Sequence, residues 1–303
     1  MNQDPSNSKT TGLVPGVNTD FSNQLLLRRI DRDIFTGHAN GGGPIRTYGG
    51  QVAAQSLMAA GMTIDDPERQ VHSLHGYFLQ PGRTEERITY IVERPRDGGS
   101  FSSRIVRAIQ NGETIFMMTA SFSVQDWGPE HQFEQPLAPP PDEGTSDPRM
   151  DPELEEGEEG GDRPATRNRR RWIDLRLFNP EESVKMKDGR YERMAWVRIL
   201  QELPDNPLIQ ACALTYLSDL TMVPTALSPN THMRSQLQMA SIDHAVWFHA
   251  PIRTDQWLLF AQDTPVARGG HGLARGLFYD QDGILVASVV QESLIRGSRK
   301  KKP

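Results

Sequence analysis

The chain has a single cysteine, Cys212, in 303 residues. That excludes an internal disulfide and fits a reducing compartment, so an intracellular protein, cytoplasmic or peroxisomal, is expected. Cys212 lies in the apolar run ACALTYL, where a free thiol acts as a small hydrophobe rather than a nucleophile. Basic charge is in deficit: 33 Lys and Arg face 39 Asp and Glu, a net −6, which gives no footprint for nucleic acid. Long apolar runs are missing, so no membrane span is expected. The opening MNQDPSNSKTTGLVPG lacks the apolar stretch of a secretory signal. His72, His75, His244 and His249 lack zinc-ligand spacing and a cysteine pair, so neither metal nor cofactor is expected. The Gly41-Gly42-Gly43 run lacks the Lys and Ser/Thr of a phosphate-binding loop.

What the chain does have is one strand grammar written twice. FLQP (Phe78–Pro81), Gly98-Gly99, Arg104 and Asn111-Gly112 reappear as FHAP (Phe248–Pro251), Gly269-Gly270, Arg275 and Asp282-Gly283. The offset is 170 at the prolines and 171 from the glycine pairs onward. In the first copy, YGGQVAAQSLMAAG predicts a helix over Tyr48–Gly61, rich enough in alanine for a sheet to approach closely. Strands follow over Val71–Leu79, Glu86–Glu93, Ser102–Gln110 and Thr114–Val124, the last two joined by an Asn-Gly hairpin turn. The second copy predicts a helical region over Pro207–Leu227 and strands over Gln238–Phe248, Gln256–Gln262, Gly272–Tyr279 and Ile284–Ile295. Asp219 falls at a helix start, and Pro224 requires the helix there to be short or bent.

An apolar helix followed by long antiparallel strands, twice, predicts an α+β fold of two helix-wrapped sheets meeting as a pseudo-dimer. The organisation expected is a disordered start (1–24), a first unit (25–125), a low-complexity charged linker (126–171), a second unit (172–296) and a basic tail (297–303). The linker contains DPELEEGEEGGD and RNRRR, too polar to offset the entropy of ordering. The basic tail is expected to be solvated.

The motifs RTYGGQVAAQSL, VHSLHGYFLQPG, RDGGSFSSRIVRAIQNG, YLSDLTMVPTAL, SIDHAVWFHAP and DGILVASVVQES resemble the acyl-CoA thioesterase II family, from about Ile30 to Arg296 apart from the acidic linker. The resemblance implies a double hotdog fold and hydrolysis of acyl-CoA to a carboxylic acid and CoA. It also implies an Asp, a Thr or Ser, and a Gln that together hold the attacking water. By motif these fall on Asp219 of YLSD, Ser241 of SIDH and Gln291 of VVQES. Ser241 keeps the hydroxyl but lacks the stiffening methyl of Thr.

Each of the three also has a plain local meaning. Asp219 fits a helix N-cap. Ser241 is a tolerated strand serine, with His244 three positions on and therefore expected on the opposite face. Gln291 is a buried structural amide in an apolar strand. The duplication bears on the choice, because the offsets map Asp219, Ser241 and Gln291 onto Gly49, Val71 and Ala120. All three polar groups are replaced by inert residues in the first copy.

Substrate contacts are expected from Gly49 and Gly50, whose helix-start N–H groups suit an oxyanion. Arg46, Arg104, Arg107 and Arg275 are candidates for the CoA phosphates. Two rivals stand beside the hydrolase: a non-catalytic acyl-CoA-binding protein, and an enoyl-CoA hydratase, which would need an Asp and a His in one pocket. A homodimer or homotetramer is expected from exposed sheet faces.

Overall fold

A computed structural model describes residues 20–39, 46–84, 86–146, 172–178, 184–185 and 191–297. The first unit comprises α1 (Ser22–Leu25), β1 (Arg28–Asp31), β2 (Ile34–His38), α2 (Gly49–Gly61), β3 (Gln70–Phe78), β4 (Arg87–Asp97), β5 (Phe101–Gln110) and β6 (Glu113–Ser123). The strands lie in the order β1-β2-β4-β5-β6-β3, all antiparallel. The inward residues of β4–β6, such as Ile88, Tyr90, Val106, Ala108, Phe116 and Met118, alternate with more exposed ones. That period of two buries one face of the sheet against α2. Ala53, Ala54, Ala59 and Ala60 of the helix are fully buried. As expected, Asn111 and Gly112 both adopt positive φ in the turn between β5 and β6.

The second unit comprises β7 (Thr145–Ser146), β8 (Ile173–Phe178), β9 (Val184–Lys185), β10 (Tyr191–Ile199), α3 (Pro207–Ser218), α4 (Met222–Leu227), β11 (Leu237–Ser241), β12 (Asp243–Phe248), β13 (Leu258–Arg268), β14 (His271–Tyr279) and β15 (Leu285–Gly297). Its order is β12-β15-β14-β13-β10-β8-β7, with β11 also on β15 and β9 on β10. The helical region is divided. α3 begins at Asn206, whose side chain caps Leu208 and Ile209, and packs against α2. α4 packs on β13, β14 and β15. Pro224 sits in the first turn of α4, where no intrahelical N–H bond is due, and so is accommodated.

The two units share one continuous sheet, because β3 pairs antiparallel with β12. The pairing is centred on His75 opposite Ala245, residues equivalent under the 170 offset. The joint is therefore itself pseudo-symmetric.

Three expectations about organisation need correction. Residues 20–24 are ordered: Phe21 is fully buried, edge-on to Trp172 and Tyr216. A large aromatic supplies enough apolar contact to hold a short polar segment. The described part of the linker is docked on the second unit. Gln132 bonds Gly283 O and Leu285 N, Trp196 Nε1 donates to Pro139 O, and β7 pairs with β8. The acidic and basic blocks, residues 1–19 and the Gly41–Gly43 run lie outside the described residues. In addition, Asp219 is not an N-cap. It closes α3 at its C-terminal end, and Thr221 occupies the N-cap position of α4.

Candidate active site

Asp219, Ser241 and Gln291 come from three separate elements and form one chain of hydrogen bonds. Gln291, on β15, is fully buried, and its Nε2 donates to Ser241 Oγ at 3.0 Å. Ser241, at the end of β11, donates to Asp219 Oδ1 at 3.3 Å, a long contact for a hydroxyl and a carboxylate. Gly50 N–H, at the start of α2 in the other unit, donates to Asp219 Oδ2 at 2.8 Å. Asp219 is 8% exposed, and its carboxylate is set on the partial positive charge of a 13-residue helix, a placement worth up to about 2 kcal/mol when partly buried.

Gly50 was expected to offer its N–H to a substrate oxygen. That N–H is committed to Asp219, so the helix start acts on the carboxylate instead. Both glycines are sterically required. A Cβ at Gly49 would lie 2.9 Å from Asp219 Oδ2 and 3.0 Å from the Phe78 ring, and one at Gly50 would lie 2.7 Å from Tyr216 O.

His244 belongs to the same network, against the expectation that it faces away from Ser241. β11 and β12 both pair with β15, Ser241 opposite Ser293 and Ala245 opposite Val290. The extra residue at Ile242 is a bulge that breaks the two-residue alternation. His244, 1% exposed, lies with Nδ1 2.6 Å from Gln291 Oε1 and Nε2 2.7 Å from Ser218 Oγ. Burial lowers its pKa below the ordinary 6.5, outweighing Asp219, the Gln291 hydrogen bond and Asp243, which act the other way. No sequence signal marks the bulge, and Ser218 was not singled out.

The arginines are not brought to this network. Arg104 is 1% exposed and donates to Thr63 Oγ1 and O, Asp97 Oδ1, and the carbonyls of Arg96 and Ser103. It therefore has no donor to spare for a phosphate. Arg275 follows Ala274, the partner of Gln291, so alternation turns it to the opposite face of the sheet. There it pairs with Asp263 at 2.5 Å and lines a cavity of about 550 Å³ beneath Phe133, Glu134 and Pro136. That cavity contains none of Asp219, Ser241 and Gln291. Arg107 is exposed and pairs with Glu93. Arg46 is exposed beside the undescribed residues 40–45. Among the described residues no group of three His, Cys, Asp or Glu side chains is placed to hold a metal, and no helix is long and apolar enough to cross a membrane.

Comparison with known proteins follows the same division of the chain. Residues 174–294 match the family model described as acyl-CoA thioesterase, and residues 37–123 the model described as acyl-CoA thioesterase N-terminal domain. Acyl-coenzyme A thioesterase 8 of Rattus norvegicus is 36% identical over 282 residues, spanning 90% of this chain and 87% of the relative. The crystal structure of an acyl-CoA thioesterase II, TesB2, from Mycobacterium marinum is similar with a TM-score of 0.78 at 39% identity, covering 92% of this chain and 98% of that one. A hot dog fold protein from Alicyclobacillus acidocaldarius has a TM-score of 0.73 at 20% identity, covering 92% and 98%.

Proposed function

We propose, from the premise that this chain belongs to the acyl-CoA thioesterase family, that it hydrolyses fatty acyl-CoA to free fatty acid and CoA at Asp219, Ser241 and Gln291. The double hotdog fold and the enzyme class follow from that membership; the assignment of the three residues is our own. One observation carries it. A carboxylate, a hydroxyl and an amide from three elements of the second unit converge, joined by Ser241 Oγ, beside a helix start of the first.

In this mechanism a water held by Asp219 and Ser241 Oγ, itself fixed by Gln291 Nε2, attacks the thioester carbonyl, and Asp219 accepts its proton. A C–O bond forms, the C–S bond breaks, and the proton passes to the departing sulfur to give free CoA. No imidazole contacts Ser241 Oγ, and its contact with Asp219, the base assigned to the water, is long at 3.3 Å, so Ser241 is assigned to holding the water and not to attack. The reaction therefore proceeds without an acyl-enzyme. The compartment, cytoplasm or peroxisome, is proposed on the single, buried cysteine. Assembly as a homodimer or homotetramer is proposed on the outer sheet face, where the cross-strand partners Tyr77 and Met117 are exposed.

The proximity of His244 to Asp219 favours one other reading, hydration of an enoyl-CoA. Both ring nitrogens of His244 are occupied, by Gln291 and Ser218, which leaves neither to meet a substrate. Palmitoyl-CoA with a thiol reagent separates the possibilities. Thiol release, with one oxygen of the fatty acid drawn from labelled water and no acyl-protein by mass spectrometry, is expected. Binding without release, hydration of crotonyl-CoA, or a trapped acyl-protein would overturn the proposal.

A further inference from the structure

The Gln291 side chain is nearly symmetric in shape but not in hydrogen bonding: its oxygen accepts and its nitrogen donates. Which way round it sits decides what Ser241 receives. With Nε2 on Ser241 Oγ, the serine proton is left for Asp219. Reversed, the amide oxygen would draw that proton away from the carboxylate.

Two self-consistent arrangements exist, and the proton on His244 distinguishes them. An amide oxygen only accepts, so Gln291 Oε1 at 2.6 Å requires the proton on Nδ1. Nε2 of the neutral ring then accepts from the Ser218 hydroxyl. In the opposite arrangement Nε2 carries the proton toward Ser218, whose own proton turns to Thr215 O at 3.0 Å. The amide is then reversed to donate to Nδ1. The charge on Asp219 selects the first arrangement, because a hydroxyl donated to a carboxylate is roughly twice as strong as one donated to a neutral amide.

We propose that His244 is a positioning residue: its Nδ1–H fixes the Gln291 amide so that the Ser241 hydroxyl is directed to Asp219. This rests on the assignment of Asp219, Ser241 and Gln291 as the hydrolytic site. His244, Ser218 and the bulge at Ile242 then form a brace behind the water-holding groups. The histidine is 1% exposed and the glutamine fully buried, which leaves solvent almost no surface through which to substitute for either partner.

Two measurements on the full-length chain test it. A long-range proton–nitrogen NMR spectrum of histidine-labelled protein should show a neutral His244 protonated at Nδ1; protonation at Nε2 overturns the proposal. In kinetics, His244→Leu should lower kcat about 100-fold with KM little changed, as misplacement near reacting groups does. His244→Asn, whose amide N–H falls near the position of Nδ1–H, should recover kcat to within about tenfold of the native value. In a Gln291→Ala background, His244→Leu should add no further loss, because the two act as a unit. Equal losses in the Leu and Asn variants, or an undiminished effect of His244→Leu without Gln291, would contradict the role. If His244→Leu does not fold, the NMR result and the Asn variant decide. Full turnover in Asp219→Asn and Gln291→Ala would instead remove the site assignment itself, whereas loss in those two with native turnover in His244→Leu removes only the brace.

Discussion

Gly49 and Asp219 are equivalent under the 170-residue offset, yet they touch: a Cβ at Gly49 would lie 2.9 Å from Asp219 Oδ2. The start of α2 and the C-terminal end of α3 therefore meet near the axis relating the repeats, as His75 and Ala245 do in the sheet. A carboxylate at both positions would bring like charges into contact, which strongly disfavours ionising the second. The duplicated fold thus has room for one carboxylate here, and the glycine in the first copy is the cavity into which the second copy's aspartate fits.

Gly49→Ala should therefore displace the Asp219 carboxylate or the Phe78 ring while leaving the sheet intact. We expect kcat to fall by about tenfold to a hundredfold, with an unchanged circular dichroism spectrum. Acyl-CoA turnover checks this, and native activity in the variant would refute the steric account.

Ser241→Ala should leave the buried Gln291 Nε2 without its acceptor and reduce kcat by about tenfold to a hundredfold. Ser241→Thr keeps the oxygen and narrows its rotamers. It should retain native turnover or exceed it, as a kcat comparison of the two variants shows.

Arg104→Ala should act on stability, not on substrate affinity. Its guanidinium bonds Thr63, Asp97 and two further carbonyls at 1% exposure. Removal leaves buried acceptors unpaired and should cost about 3 kcal/mol or more. Denaturant unfolding measures the loss, and KM for acyl-CoA should not move.

Acid should destabilise the fold well above the carboxylate range. Burial lowers the pKa values of His38, His72, His244 and His249 below 6.5. Each therefore binds its proton more readily in the unfolded chain. Their stabilising effect is full above about pH 6.5 and is lost as pH falls through the lowered folded values. The lowered pKa values of Asp33, Asp97 and Asp255 add their loss only below the ordinary 3.8. The denaturation midpoint should drop between about pH 7 and pH 5, and less steeply in His244→Asn.

Much of the fold was legible because it depends on period and punctuation. Alternation along β4–β6, the Asn111-Gly112 turn and the alanine-rich α2 are local signals, and the repeat doubled each of them. The site was only half legible. Motif and offset singled out Asp219, Ser241 and Gln291, but the convergence of His244 and Ser218 depends on a bulge at Ile242 that breaks the rule used to read strand faces. Arg104 misled because its residue type suits phosphate, while its partners, Thr63 and Asp97, are set by packing between α2 and the sheet. The Gly50 N–H was expected to meet a substrate oxyanion, but it is donated to Asp219, brought across from the other repeat by a contact that no local pattern encodes.

The central claim concerns the Asp219 carboxylate, and kcat of Asp219→Asn at saturating acyl-CoA tests it most directly. The substitution preserves size and removes the proton acceptor, so thiol release should fall by about a thousandfold in a protein that melts as the native one does. Turnover within a few-fold of native in that folded variant would contradict the account.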